Sequence, residues 1–249
     1  MDRTATERLS CVGRLCERLP VTNPNAARRD ELVRQVRDVI ERLVRDGTAV
    51  ARDGSLHTLF PIAITAAEGE ALRTWVIREG ATRTIEIGLG YGLSALFIGE
   101  ALRSRDDAGA RHVALDPFQT TSFADRGLQL LEEAGLAELV EFHAEESQIA
   151  LPRFLGEGRS FDFAFVDGNH RFERVFLDVI YLGRLVLPGG VVFVDDYQLP
   201  AVARAAAFCL TNLGWTSEEV SAVDDLHQWA VLRTPREPDT RPFDHFIDF

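Results

Sequence analysis

The sequence predicts an α/β fold, a parallel sheet flanked by helices and preceded by a helical appendage. Two features carry the prediction. From Thr82 onward, short apolar runs rich in β-branched and aromatic residues alternate with helical segments, the rhythm of strand–helix–strand crossovers in a parallel sheet. The stretch Thr82 to Leu96, TRTIEIGLGYGLSAL, compresses the same unit: an apolar run, three alternate glycines (Gly88, Gly90, Gly92), then a helical pattern through Ser94, Ala95, Leu96 and Phe97. Glycines accept positive φ and let a ligand approach the backbone, and a new helix points its unpaired N–H groups at that ligand. A small-molecule ligand is expected at this turn.

In chain order, residues 4 to 19 predict a short helix ended by Pro20, and VTNPNA offers Asn23 or Asn25 as a cap for the next. That second helix, Asp30 to Arg45, repeats Leu32, Val33, Val36, Val39, Ile40, Leu43 and Val44 at helical spacing, a stripe that packs on the main domain or on a second subunit. Gly47 and Gly54 bracket a turn-rich passage. A third helix, Ala66 to Arg78, is closed by Gly80, so residues 1–80 form the appendage or cap. Strands are predicted at 82–87, 111–115, 139–143, 161–166 and 190–194, followed by a helix from Ala201 to Leu213 and a strand pair, Glu219 to Val223 and Gln228 to Arg233. Residues 81–234 thus form the main domain. The tail 235–249 ends in three phenylalanines and is expected to dock on the body or on a partner chain.

Composition narrows the function. The chain has 249 residues, 46% of them hydrophobic, enough for one large domain. Its formal charge of −12 argues against nucleic acid and against an anionic membrane surface, leaving a small molecule as the default partner. Every basic residue is Arg, so a general base must be His, Asp, Glu or Tyr. The charged N-terminus and the absence of a long apolar run predict a cytoplasmic protein. Cys11, Cys16 and Cys209 lack metal or disulfide spacing and are expected to be reduced.

The expected strands end in acids: Asp116, the Glu145–Glu146 region, Asp167, then Asp195 and Asp196. Ligands of open α/β sheets bind outside these carboxyl ends. Asp116 is placed to accept the hydroxyls of a ribose, or alternatively is a turn residue before Pro117. Asp167, Asp195 and Asp196 would repel one another unless a hard divalent ion such as Mg²⁺ lies among them, or else they are simply acids that end strands. His170, in the loop VDGNH, is the first candidate for a general base and His57 the reserve; the alternative for His170 is a surface or capping role. His112, His143, His227 and His245 read as structural. Phe118, Phe123, Phe172 and Tyr197 line a pocket or belong to the core.

Taken together, IEIGLGYGLSA, VALD, EESQ, FVDGNH and VVFVDD resemble the class I S-adenosylmethionine-dependent methyltransferases, specifically the small-molecule O-methyltransferases related to catechol, macrolide-sugar and aminocoumarin-sugar enzymes. The resemblance covers about residues 56–234. It implies a Rossmann-like, doubly wound, seven-stranded, mostly parallel sheet whose last strand is antiparallel. The cofactor-binding set it implies is Glu86, Gly88, Gly90, Gly92, Ser94, Asp116, Glu146, Ser147, Gln148 and Asp167. In that set Gly88 to Gly92 hold the methionine part, Ser94 its carboxylate, Asp116 the ribose, and Ser147 and Gln148 the adenine. Asp167, Asp195 and Asp196 would be the metal ligands, and His170 or Asp167 would take the substrate's proton. Two positions depart from the catechol enzyme: Asp196 stands where it has Asn, and His170 where it has Lys.

The expected reaction is methyl transfer from S-adenosylmethionine to a hydroxyl of a small molecule, a natural product or sugar, assisted by Mg²⁺ in a homodimer or larger assembly. Metal-independent transfer to nitrogen or carboxylate is the rival within enzymes, and a non-catalytic S-adenosylmethionine-binding regulator the rival outside them. A NAD-dependent oxidoreductase is disfavoured, because Leu93 stands where GxGxxG requires its third glycine.

Overall fold

The computed structural model describes residues 24–105, 107–222 and 227–249. The helix expected at residues 4–19, with Cys11, Cys16 and Asn23, lies outside them. In order, the elements are α1 (Pro24–Asp46), β1 (Thr48–Val50), β2 (Leu56–Thr58), α2 (Ala66–Glu79), β3 (Arg83–Ile87), α3 (Leu93–Arg103), β4 (Arg111–Leu115), α4 (Gln119–Ser122), α5 (Arg126–Glu133), β5 (Val140–His143), α6 (Ser147–Gly156), β6 (Phe161–Val166), α7 (Phe172–Leu185), β7 (Val186–Val194), α8 (Pro200–Asn212), β8 (Thr216–Val220) and β9 (Ala230–Arg233).

The main sheet has seven strands in the order β5-β4-β3-β6-β7-β9-β8. The pairs β5–β4, β4–β3, β3–β6 and β6–β7 are parallel, and β9 runs antiparallel to both β7 and β8. Strand order reverses between β3 and β6, so the loops after these two strands diverge and open a crevice at their carboxyl ends. Alternation along each strand feeds two cores. Phe163, Phe165, Val191 and Phe193 face one with residues of α1, α2 and α3, while Ile85, Ile87, Ala164, Val166, Val192 and Val194 face the other with residues of α6, α7 and α8.

Several boundaries differ from the sequence reading for identifiable reasons. Helix α1 begins at Pro24, which suits a first turn because its missing N–H has no intrahelical partner there. Asn25 therefore lies inside the helix. The turn-rich passage contains a small hairpin, Thr48 to Val50 against Leu56 to Thr58. Strand β7 starts at Val186 instead of 190, passing through Pro188 and Gly189, and the irregularity appears as a register shift against β6. The final pair also moves, with β8 at Thr216–Val220.

The appendage is not set apart from the sheet. Val36, Val39, Ile40 and Leu43 of α1 and Leu72, Trp75 and Val76 of α2 are buried in the first core. The apolar stripe of α1 is thus covered by its own chain. Gly69 is what lets α2 settle on α3: a Cβ there would lie 2.1 Å from the ring of Phe97. Trp75 donates its indole N–H to Glu219 of β8 at 2.9 Å. In the tail, Asn212 and Ile247 exchange hydrogen bonds and Phe249 packs edge-on against Phe208, while Phe243 and Phe246 are exposed. Cys209 is buried in the second core, and burial pushes its thiol up to about 12. Among the described residues no helix is long and apolar enough to cross a membrane.

Candidate active site

A cavity of about 450 Å³ opens at the carboxyl ends of β3, β4, β6 and β7. Its floor is the turn between β3 and α3. All three glycines have positive φ, at 94° for Gly88, 50° for Gly90 and 81° for Gly92. A Cβ on Gly88 would lie 1.9 Å from the carbonyl oxygen of Asp167, and one on Gly92 would press on Gly127 at 3.1 Å, whereas one on Gly90 would meet no protein atom within 4 Å. Gly88 and Gly92 therefore serve close backbone packing, and Gly90 leaves open space for a ligand.

Asp116 locks this turn. Its Oδ2 accepts the N–H of Gly90 at 2.8 Å and the amide of Gln119 at 2.8 Å, and its Oδ1 accepts the N–H of Phe118 at 2.7 Å. Gln119 also donates to the Gly90 carbonyl at 2.6 Å. Asp116 is thus a turn-stabilising residue and also lines the cavity, so the two readings of it coexist.

Glu86 and Gly92 do not line the cavity. Glu86 is fully buried between β3 and α3, where its Oε2 accepts the hydroxyl of Ser94 at 2.8 Å and its Oε1 lies 3.1 Å from His112 Nε2. His112 completes the line through Thr84 at 2.8 Å. This chain holds the start of α3 to the sheet, which leaves Glu86 a supporting position behind Ser94. Ser94 itself, with Gly88, Gly90, Glu146, Ser147, Gln148 and Asp167, faces the cavity. The first turns of α3 and α6 both lack a side-chain cap, so two helix N-termini present N–H groups at one opening. Arg174 of α7 fixes Glu146 through a 2.8 Å ion pair, and Ser147 sits beside buried Asp178, whose carboxyl is pushed up to about 7 chiefly by burial.

The acids at the far wall separate into two groups. Asp167, His170 and Asp196 each bring one ligand atom within 4.8 Å of the others. His170 Nδ1 is 3.2 Å from Asp196 and its Nε2 is 3.6 Å from Asp167. Burial, with the nearby carboxylates of Asp195 and Asp196, pushes Asp167 up to about 8 although His170 opposes the shift. The close Asp167 carboxyl, with the surrounding negative charge, raises His170. Asp196 has φ 54°, a left-handed conformation that turns its side chain toward His170 and Gln198.

Asp195 belongs to the other group. It accepts the N–H of Asp196 at 2.5 Å and stands with Glu68 of α2 and His227, again with one atom each within 4.8 Å. The expected trio of Asp167, Asp195 and Asp196 is accordingly split, with Asp195 between two clusters. Burial and its close approach to the Asp195 carboxyl push Glu68 up to about 11, and neither of its oxygens faces a donor group.

The aromatic expectations divide too. Phe118 and Phe123 line the cavity, with Tyr91 and the segment Pro61 to Ile64, while Phe172 stacks on Phe176 and Tyr197 packs in the second core. His57 contacts the Tyr91 ring edge-on and does not line the opening. His227, read as structural, does line it. Glu68 carries no local signal in the sequence, because Asp195 and His227, its neighbours in space, come from distant parts of the chain. Thr65 caps its backbone by accepting the Glu68 N–H at 3.2 Å, and the carboxylate turns inward.

Comparison with known proteins gives a family match and a set of similar folds. Residues 85–197 match the family described as a methyltransferase domain. That match runs from within β3 to just past β7 and includes the glycine turn. Sequences similar to this chain include caffeoyl-CoA O-methyltransferases and tricin synthases. Caffeoyl-CoA O-methyltransferase from Stellaria longipes is 26% identical over 183 residues, covering 69% of this chain and 73% of the relative. Tricin synthase 2 from Oryza sativa subsp. japonica is 34% identical over 151 residues, covering 57% of this chain. The chain spans about half of tricin synthase 2, 47% of its length. Among solved structures, the O-methyltransferase TomG from Streptomyces achromogenes, involved in tomaymycin synthesis and solved in complex with SAM, superimposes with a TM-score of 0.61 at 24% identity, covering 80% of this chain and 90% of that one. An O-methyltransferase from Bacillus cereus in complex with SAH gives 0.61 at 18% identity, covering 82% of this chain and 91% of that one. These likenesses support the fold.

Proposed function

We propose that the protein is an S-adenosylmethionine-dependent O-methyltransferase that acts on a hydroxyl of a small molecule with the help of a divalent ion. The observation that carries this reading is the convergence, in one cavity, of the open Gly90 turn, Asp116, the start of α6 and an acid–histidine cluster. The residues fit the cofactor: two uncapped helix starts suit a carboxylate and an adenine edge, and Asp116 keeps acceptor capacity for a ribose. They fit a hard ion as well, since Asp167 and Asp196, with Asp195 beside them, supply oxygen donors whose mutual repulsion a cation relieves. Bound there, the cofactor supplies a sulfonium methyl and the ion lowers the pKa of a hydroxyl beside it.

The protein's own residues then have defined work. The Gly90 turn and the α3 and α6 starts fix one reactant, and Pro61 to Ile64, Tyr91 and Phe123 exclude water from the other side. His170 takes the hydroxyl proton at Nε2 while Nδ1 faces Asp196, which orients the ring. No acid is required, because a thioether leaves unprotonated. The test is calorimetry with S-adenosylmethionine, followed by turnover against a panel of phenol and sugar hydroxyls, with and without chelator. Micromolar binding and chelator-sensitive transfer are expected, restored by Mg²⁺. Transfer indifferent to chelator would remove the ion and leave His170 as a metal-free base. Binding without any transfer would favour a regulator.

A further inference from the structure

The cluster of Glu68, Asp195 and His227 lies outside the set that the proposed reaction uses, apart from Asp195 at its border. Its three side chains come from distant parts of the chain: α2 of the appendage, the end of β7, and the segment leading into β9. All three are buried, Glu68 completely and Asp195 and His227 at 3% and 6% exposure. Neither Glu68 oxygen faces a hydrogen-bond donor group, and the polar side chain they meet is Asp195, another acid, a costly arrangement for a buried carboxylate. The charges that act most strongly on Glu68 are Asp195, Asp167 and Asp196, all acids. Nothing in that set compensates a carboxylate at position 68.

We propose that Glu68, Asp195 and His227 form a second divalent-cation site, which fastens the appendage helix to the carboxyl edge of the sheet. Two carboxylates and one imidazole suit a borderline ion such as Mn²⁺ or Zn²⁺ better than the oxygen-only preference of Mg²⁺. One ligand atom from each already lies within 4.8 Å of the other two. From that upper limit, a closure of about 1.5 Å brings such atoms to the ~3–3.5 Å edges of a coordination shell with bonds of about 2.0–2.2 Å. The inference goes beyond the catalytic reading and shares only Asp195 with it, one oxygen of which can face each side.

The test is equilibrium binding of Mn²⁺ alone, with no cofactor or acceptor, to the full chain and to Glu68→Gln, His227→Gln and Asp167→Asn variants. Two ions per wild-type chain are expected, with Glu68→Gln and His227→Gln each losing the same one and Asp167→Asn losing the other. Mn²⁺ should also raise the melting temperature of the wild type, since it binds the folded state only, and the part of this shift due to the second site should vanish in Glu68→Gln. Should Glu68→Gln fail to fold, His227→Gln decides on both readouts. A single ion that Glu68→Gln abolishes and Asp167→Asn leaves in place would uphold this site and sink the catalytic ion. A single ion with the reverse dependence, or a wild-type stoichiometry unchanged in Glu68→Gln, would overturn it.

Discussion

Alternate glycines in the turn after β3 answer to different constraints, which substitution should separate. Gly88→Ala drives a methyl to 1.9 Å from a backbone carbonyl that β6 holds in place, so we expect a loss of about 3 kcal/mol or more and a clear drop in melting temperature. Gly90→Ala has φ 50°, a left-handed value that costs a side chain only about 1–2 kcal/mol, and its methyl meets no protein atom. It should fold, yet bind S-adenosylmethionine at least about tenfold more weakly, roughly 1.4 kcal/mol. Calorimetry showing wild-type affinity for Gly90→Ala would mean the ligand does not lie on this turn. Asp116 is bound to the same turn, which changes what its removal measures. Asp116→Asn presents an amide N–H to one of the donors that the carboxylate now accepts, so cofactor affinity should fall by about 1.5–3 kcal/mol, roughly ten- to a hundredfold. Unchanged affinity would confine Asp116 to turn chemistry. The glycine turn and Asp116 were legible because local spacing alone sets them. Glu68 and His227 were not, because their partners lie across the fold and single-sequence patterns record only neighbours along the chain.

Element α2 shows the same limit at a larger scale. Its span was readable from the helical pattern Ala66 to Arg78 and the Gly80 that closes it, left-handed in the structure, within a residue of the observed helix. What it packs on was not, because Gly69 looks like a weakness in a helix until Phe97 is seen to need the space. Strand β7 was legible only over 190–194, whereas the sheet carries it back to Val186 through Pro188 and Gly189 with a register shift. The end of α2 also makes a testable link to β9. Glu79 receives both terminal nitrogens of Arg233, at 2.9 and 3.0 Å, and Arg233 also reaches Glu218 at 2.8 Å. These bonds hold the Glu79 carboxyl below its ordinary 4.5. A depressed folded value means that the contribution to stability is complete above the unfolded pKa and is lost as pH falls through the folded one. Glu79→Gln should therefore cost about 1 kcal/mol at pH 7, allowing for solvent screening, and the gap from wild type should close in acid. Urea melts at several pH values read this directly; a gap that persists well below pH 4.5 would assign the loss to packing.

At the scale of the whole molecule, the division at residue 80 that the sequence suggests is a change of rhythm and not a boundary between folding units. Helices α1 and α2 cover the face of α3 and of the sheet that lies opposite α6, α7 and α8, so without them one face of an α/β sheet meets water. A chain beginning at residue 81 would expose the partners of Val36, Val39, Ile40, Leu43, Leu72, Trp75 and Val76, each buried within the first core. At about 1.5–3 kcal/mol for each large apolar side chain, that loss matches or exceeds the ~5–15 kcal/mol by which a domain is stable. It would also cut the Trp75–Glu219 and Glu79–Arg233 bonds, and it removes Pro61 to Ile64 from the cavity wall. We therefore expect a fragment of residues 81–249 to be insoluble or to lack a cooperative melt, and the full chain to unfold in one transition by both circular dichroism and tryptophan fluorescence. Trp75 reports the appendage, while Trp215 and Trp229 report the sheet's far edge, so replacing Trp75 by Phe and comparing midpoints tests whether the two regions come apart together. Separate midpoints, or a folded fragment that binds S-adenosylmethionine, would show that the appendage is an independent cap laid over a complete domain.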